Sequence, residues 1–203
     1  MSHRWQLTFV LLIKIIFNVD KKHVYGLIKK AGGSSVTESI LNGKKILAVD
    51  DEPDVLSVLE EEILGDAPKC KFEKATTYEE AAKKLKSETY DVVILDIMGV
   101  RGFDLLDLAV RKNFRVAMLT AHALTPEDLK RSFEMKARAY LPKEKLGEVV
   151  PFLEDVLKYD YLPGWRRLMN KLGGYFKARW GKYWQKAEAN FWEDFEKITS
   201  SKW

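Results

Sequence analysis

The chain has 203 residues, 46% of them hydrophobic, and its 34 Lys and Arg against 30 Asp and Glu give a formal net charge of +4. That length can bury one good core but not two large ones. A single cysteine, Cys70, and three scattered histidines, His3, His23 and His122, exclude a disulfide framework and a structural zinc site, and fit a reducing, cytoplasmic compartment.

The charge is uneven. Residues 1–43 carry six Lys and Arg against two acids, residues 44–157 eighteen against twenty-three, and residues 158–203 ten against five. An acidic middle of this kind suits a bound cation, and the basic arms suit an anionic surface. Near the start, Leu7–Phe17 is almost wholly apolar but only eleven residues long. That is too short to span a bilayer, and Lys14 near its centre would cost about 2.5–3.5 kcal/mol there. No small-residue cleavage site follows. The segment reads as a packing helix, an extension, or a mis-assigned start with the protein beginning nearer Val24 or Val36, ahead of a membrane anchor. Ala31–Ser35 and Asn42-Gly43 are linker and turn chemistry, so residues 1–43 are set apart as extension and linker.

Beyond them the pattern becomes regular. Lys45–Val49 is a short apolar run predicted as a buried strand, and Pro53–Leu64 is an amphipathic helix with Val55, Leu56, Leu59 and Ile63 inward. Cys70–Ala75 alternates as a strand, with Cys70 a small core residue. Thr77 then caps a helix to about Ser87, with Glu80 in capping-box position. Asp91–Leu95 is an apolar strand ending at Asp96, followed by a short helix over Phe103–Arg111 and a buried strand over Val116–Leu119. Thr125 and Pro126 open the next helix. Arg138–Leu141 is the last strand, and the final helix runs to about Lys158, with Pro151 tolerable only in its first turn. Five strands alternating with five helices over residues 44–158 predict an α/β domain: a five-stranded parallel sheet, doubly wound.

Such sheets put their sites at the carboxyl ends of the strands. There the sequence supplies Asp50 and Asp51, Asp96, Thr120 and Lys143. Three carboxylates in one crevice repel each other unless a cation joins them, and all-oxygen ligands favour Mg²⁺. Alone, an Asp after an apolar strand is ordinarily a helix cap or turn residue, and a Lys near a strand end is ordinarily surface. It is the joint pattern over four strand ends that points to function.

Val49-Asp-Asp-Glu-Pro53, Val93-Ile-Leu-Asp-Ile97, Met118-Leu-Thr-Ala121 and Ala137-Arg-Ala-Tyr-Leu-Pro-Lys143 resemble the receiver domain of two-component response regulators, over about 115 residues. The resemblance implies a flavodoxin-like fold and a phosphoryl group passed from phosphohistidine to Asp96. It implies Mg²⁺ held by Asp51, Asp96 and the backbone carbonyl of Met98, with Asp50 acting partly through water. Lys143 would pair with the acyl phosphate, and Thr120 and Tyr140 would form the switch. The protein would then catalyse only its own phosphorylation and dephosphorylation, with a sensor histidine kinase or phosphotransfer protein as partner. Several departures stand out. The loop after Asp96 lacks the family's Met-Pro pair and is a couple of residues short, Glu144 stands where a proline usually follows the lysine, and Lys136 stands where a glycine usually ends the fourth helix. His122 lies where the family tunes dephosphorylation. A degenerate receiver used as a binding scaffold is one alternative. A Mg²⁺-dependent aspartyl phosphatase of the haloacid-dehalogenase type is another, although Asp50-Asp51 lacks its Asp-x-Asp spacing.

Residues 159–203 hold five of the six tryptophans and read as an aromatic-rich helical appendage. Pro163-Gly164 marks a boundary and Gly173-Gly174 a break. Trp165, Leu168, Met169 and Leu172 fall at helical spacing, as do Phe191, Trp192, Phe195 and Ile198 on a second helix from about Glu188. The aromatics suit packing onto the receiver or a sister subunit first, then docking of a downstream protein, then an anionic membrane surface. Nucleic-acid binding ranks last, because no recognition helix with a turn signature is present.

Overall fold

Parallel strands buried on both faces read as continuous apolar runs, and the computed structural model of the chain builds four of its five strands from largely buried runs of this kind. It describes residues 38–121, 125–181 and 189–200, and those from Ser39 onward belong to one unit. The extension up to residue 37, His122 and the stretch 182–188 lie outside the described residues.

The elements are β1 (Lys45–Val49), α1 (Pro53–Asp66), β2 (Lys71–Ala75), α2 (Tyr78–Ser87), β3 (Val92–Asp96), α3 (Gly102–Arg111), β4 (Arg115–Thr120), α4 (Pro126–Glu134) and β5 (Ala139–Pro142). A 3₁₀ segment, Lys143–Glu148, leads into α5 (Val149–Lys158), α6 (Tyr161–Trp180) and α7 (Ala189–Ser200). All pairings are parallel, in the order β2-β1-β3-β4-β5. Right-handed crossovers therefore put α1 on one face and α2, α3 and α4 on the other, and α5 returns to pack beside α1. This is the doubly wound, flavodoxin-like sheet read from the sequence.

Local chemistry sets the element ends. Thr77 and Thr125 cap α2 and α4, each accepting a hydrogen bond from the backbone N–H three residues on. The Glu80 carboxylate reaches back to the N–H of Thr76, one residue before the cap. Lys136 ends α4 with φ of 69°, a left-handed conformation that favours glycine.

The two edge strands differ. β2 exposes Lys71 and Lys74, and charges of this kind deter pairing with another chain. β5 is instead covered by α6, where Trp165 is fully buried and its Nε1–H donates to the Ala137 carbonyl at 2.8 Å. Leu168, Leu172 and Phe176 of α6, and Trp192 and Phe195 of α7, are also buried in the core. Rings of both helices surround Phe133, those of Trp165 and Phe195 at 5.4 and 4.9 Å. The tail aromatics thus pack on the α/β domain itself.

Two expectations for the tail need correction. Pro163-Gly164 is not a boundary: both lie in the first turn of α6, where a proline leaves no helical bond unmade. Gly173-Gly174 is not a break: α6 runs through it, held by Leu172 and Phe176, buried on either side. Tertiary burial here outweighs the weak helix propensity of glycine.

Candidate functional site

The sheet order reverses between β1 and β3, and an open α/β sheet has its crevice beyond the carboxyl ends of strands at that point. Asp50, next after β1, and Asp96, the last residue of β3, both lie there and are buried, at 0% and 2% exposure. Asp51 adds an exposed carboxylate, and the three offer oxygens within 4.8 Å of one another. Asp50 Oδ1 accepts a hydrogen bond from the N–H of Glu52 at 3.0 Å. Asp96 Oδ2 accepts two, from the N–H groups of Met98 and Gly99, each at 3.0 Å.

The remaining oxygens of the buried pair face Lys143. Its Nζ lies 2.8 Å from Asp50 Oδ2 and 3.1 Å from Asp96 Oδ1. These two ion pairs hold the buried carboxylates against the lysine. Burial raises the Asp50 carboxyl, against the lowering effect of Lys143 and with the help of the Asp96 charge. Burial works to lower the Lys143 ammonium, but Asp50, Glu52 and Asp96 outweigh it and hold the pKa high. Lys143 is therefore charged, and one positive charge faces several acids. The donor set, oxygens of three carboxylates beside a single ammonium, fits a hard divalent ion such as Mg²⁺.

Thr120 ends β4, buried at 1% exposure, and its hydroxyl lies 3.5 Å from the Ala121 carbonyl and next to the Tyr140 hydroxyl. Tyr140 is fully buried on β5 beside it. Met98 contributes its N–H to Asp96 while its side chain is 63% exposed. Asp50, Asp51, Asp96, Thr120, Tyr140 and Lys143 thus gather at one end of the sheet, with Met98 on the loop beside Asp96.

Three features were not read from the sequence. Glu52 forms a 2.8 Å ion pair with Lys143, and the lysine lowers its carboxyl. An acid following the Asp pair was the available signal. Gly99 lies against Asp51, where a Cβ would come within 2.0 Å of the carboxyl carbon. Gly102 lies against the backbone carbonyl of Asp96, again at 2.0 Å from a would-be Cβ. At Gly102 the short loop after Asp96 can follow its path only with glycine, because the neighbour is backbone, whereas at Gly99 the neighbour is a side-chain end.

Comparison with known proteins agrees with this geometry. The sequence pattern of the response regulator receiver domain matches residues 46–150, just over half of the chain. The two-component response regulator ARR18 of Arabidopsis thaliana is 37% identical over 87 residues, 40% of this chain, and the match spans 13% of that protein's length. Among solved structures, a response regulator from Thermotoga maritima aligns with TM-score 0.50 at 20% identity, covering 57% of this chain and 98% of that one. A LuxR-family two-component response regulator from Aurantimonas sp. SI85-9A1 aligns with TM-score 0.51 at 24% identity, covering 56% and 84%. At these identities the structures speak for the fold, and the matched pattern speaks for the family. The chain belongs to the response regulator receiver domain family of two-component systems.

Proposed function

We propose that Asp96 accepts a phosphoryl group from a phosphohistidine on a sensor kinase or phosphotransfer protein, in the cytoplasm, and that output runs through protein contacts rather than DNA. In this reading residues 44–158 are the receiver, residues 1–43 an extension, and residues 159–203 the output segment. The observation that carries it is the Asp96 carboxylate itself. One of its oxygens is held by two backbone N–H groups and the other faces the Lys143 ammonium at 3.1 Å, within a cluster of three carboxylates.

Phosphoryl transfer asks the protein for positioning and charge neutralisation more than for covalent help. The N–H groups of Met98 and Gly99 orient the Asp96 carboxylate for in-line attack on phosphorus. A P–O bond to Asp96 forms as the P–N bond to histidine breaks, and the imidazole leaves with its electron pair. Lys143, already charged, neutralises the incoming oxygens. Thr120, whose hydroxyl lies at the end of β4, would turn toward them. Receiver domains generally use Mg²⁺, and Asp50, Asp51, Asp96 and the Met98 carbonyl would hold it here. It would supply charge neutralisation between the acids and the phosphoryl oxygens.

The test uses acetyl phosphate with Mg²⁺. One acid-stable, hydroxylamine-labile phosphoryl group per chain is expected, seen as a mass increment, and Asp96→Asn abolishes it. Undiminished labelling of the Asp96→Asn protein rejects the assignment. No labelling of the wild-type protein leaves the scaffold reading instead.

A further inference from the structure

At the amino ends of the strands, opposite the acidic crevice, the chain places a row of cations, and the two halves of that row are treated differently. Lys44 and Lys45, before and at the start of β1, are matched by the chain's own acids. Lys44 Nζ lies 3.2 Å from Asp91, Lys45 Nζ lies 2.9 Å from Glu73, and Lys45 also pairs with Glu88. Arg115, the first residue of β4, and Arg138, the residue before β5, are not matched in this way. The Nε of Arg115 and the Nη1 of Arg138 are buried, and among the described residues neither finds a hydrogen-bond acceptor.

The two arginines are neighbours. The N–H of Arg138 donates to the carbonyl of Val116, the residue after Arg115, at 2.6 Å, and β4 and β5 pair from Ala117 and Ala139 onward. Burial and the Arg115 charge lower the Arg138 guanidinium, against the raising effect of Asp160 and Tyr161. Lys136 adds a third cation, its Nζ 5.1 Å from the centre of the same Tyr161 ring. Asp160, exposed at the cap of α6, is the acid that answers them. Three cations against one carboxylate leave two positive charges.

Like charges held half-buried side by side cost energy, and so does each buried N–H without an acceptor. What this corner lacks is negative charge together with several acceptor oxygens. The planar fork of a guanidinium meets two oxygens of a phosphate with two parallel hydrogen bonds. A phosphate dianion also equals the uncompensated charge, whereas a carboxylate or a chloride would leave one cation over.

We propose that Arg115 and Arg138 form a binding site for a phosphate group, carried by a soluble phosphate compound or by a lipid headgroup, at the end of the sheet opposite the acidic crevice. The site uses neither Mg²⁺ nor Asp96, so it stands or falls apart from the phosphoryl-acceptor reading.

The experiment is thermal melting and calorimetric titration of the full chain in EDTA, which keeps Mg²⁺ out of the crevice. Inorganic phosphate and pyrophosphate are the probes, with acetate as control at constant ionic strength. Both phosphate probes are expected to bind and to raise the melting temperature, and acetate to do neither. Arg115→Met and Arg138→Met should each weaken binding by about tenfold or more. Without phosphate each should melt at or above the wild type, because it removes one of two crowded cations. Arg115→Lys keeps the charge and loses the fork, so it too should bind more weakly, and it serves if Arg115→Met does not fold. Flotation with phosphatidylcholine vesicles, with and without phosphatidic acid, separates the sources. Capture by phosphatidic acid that the arginine variants lose assigns a headgroup, and binding of the soluble probes without such capture assigns a soluble phosphate. No binding of phosphate, pyrophosphate or phosphatidic acid vesicles by the folded wild-type protein, or binding that both methionine variants retain, overturns the inference.

Discussion

Gly99 and Gly102 sit three positions apart on the loop that shapes the crevice, and they show what single residues decide there. A Cβ on Gly99 would meet the end of the exposed Asp51 side chain, whereas one on Gly102 would meet the Asp96 backbone. A side chain can swing aside and a backbone carbonyl cannot. Gly99→Ala is therefore expected to keep stability within about 0.5 kcal/mol while Mg²⁺ affinity, titrated calorimetrically, falls by about tenfold as Asp51 leaves the cluster. Gly102→Ala should lose about 2 kcal/mol or more in urea unfolding. Equal stability losses for the two would refute the distinction. The acids, Thr120 and Lys143 were legible in the sequence because each follows or ends an apolar strand. The glycines and Glu52 were not, because their roles arise from approaches across elements that no local pattern records.

At the scale of elements, the five strands were legible because each is a short run of apolar or alternating residues, and the capped helices because Thr77 and Thr125 announce them. The 3₁₀ segment Lys143–Glu148 carries no periodicity and was folded into the expectation for the final helix. The error at Gly173-Gly174 has a sharper physical content. A glycine pair is a break only if nothing else holds the helix, and here Leu172 and Phe176 are buried in the core. Both glycines have open space where a Cβ would stand, and neither adopts a positive φ. Their glycine therefore serves no steric purpose and costs backbone entropy. Gly173→Ala and Gly174→Ala should each raise stability by about 0.5–1 kcal/mol, measured by urea unfolding. A loss of stability at either position would mean that α6 needs its glycines for a movement or contact absent from this conformation.

The whole molecule joins a family fold to a tail that is part of its core. No helix among the described residues is long and apolar enough to cross a membrane, and the buried tail aromatics have an occupant for their surface in the receiver itself. This could not be read from composition, because apolar spacing identifies an amphipathic helix but not the face that receives it. The consequence is quantitative. Removing everything after Lys158 deletes Trp165, Leu168, Leu172 and Phe176, each buried and each contributing about 1.5–3 kcal/mol through removal from water. It also bares Phe133, the Tyr140 ring and the β5 edge that α6 now covers. Domains are stable by only about 5–15 kcal/mol in all, so the loss is a large share of the total. The truncated protein should melt about 10 °C or more below the full chain. Sedimentation should show it self-associating through the opened edge, as an uncovered apolar strand does. A truncated chain that stays monomeric and melts with the intact protein would mean that α6 and α7 rest on the receiver without stabilising it.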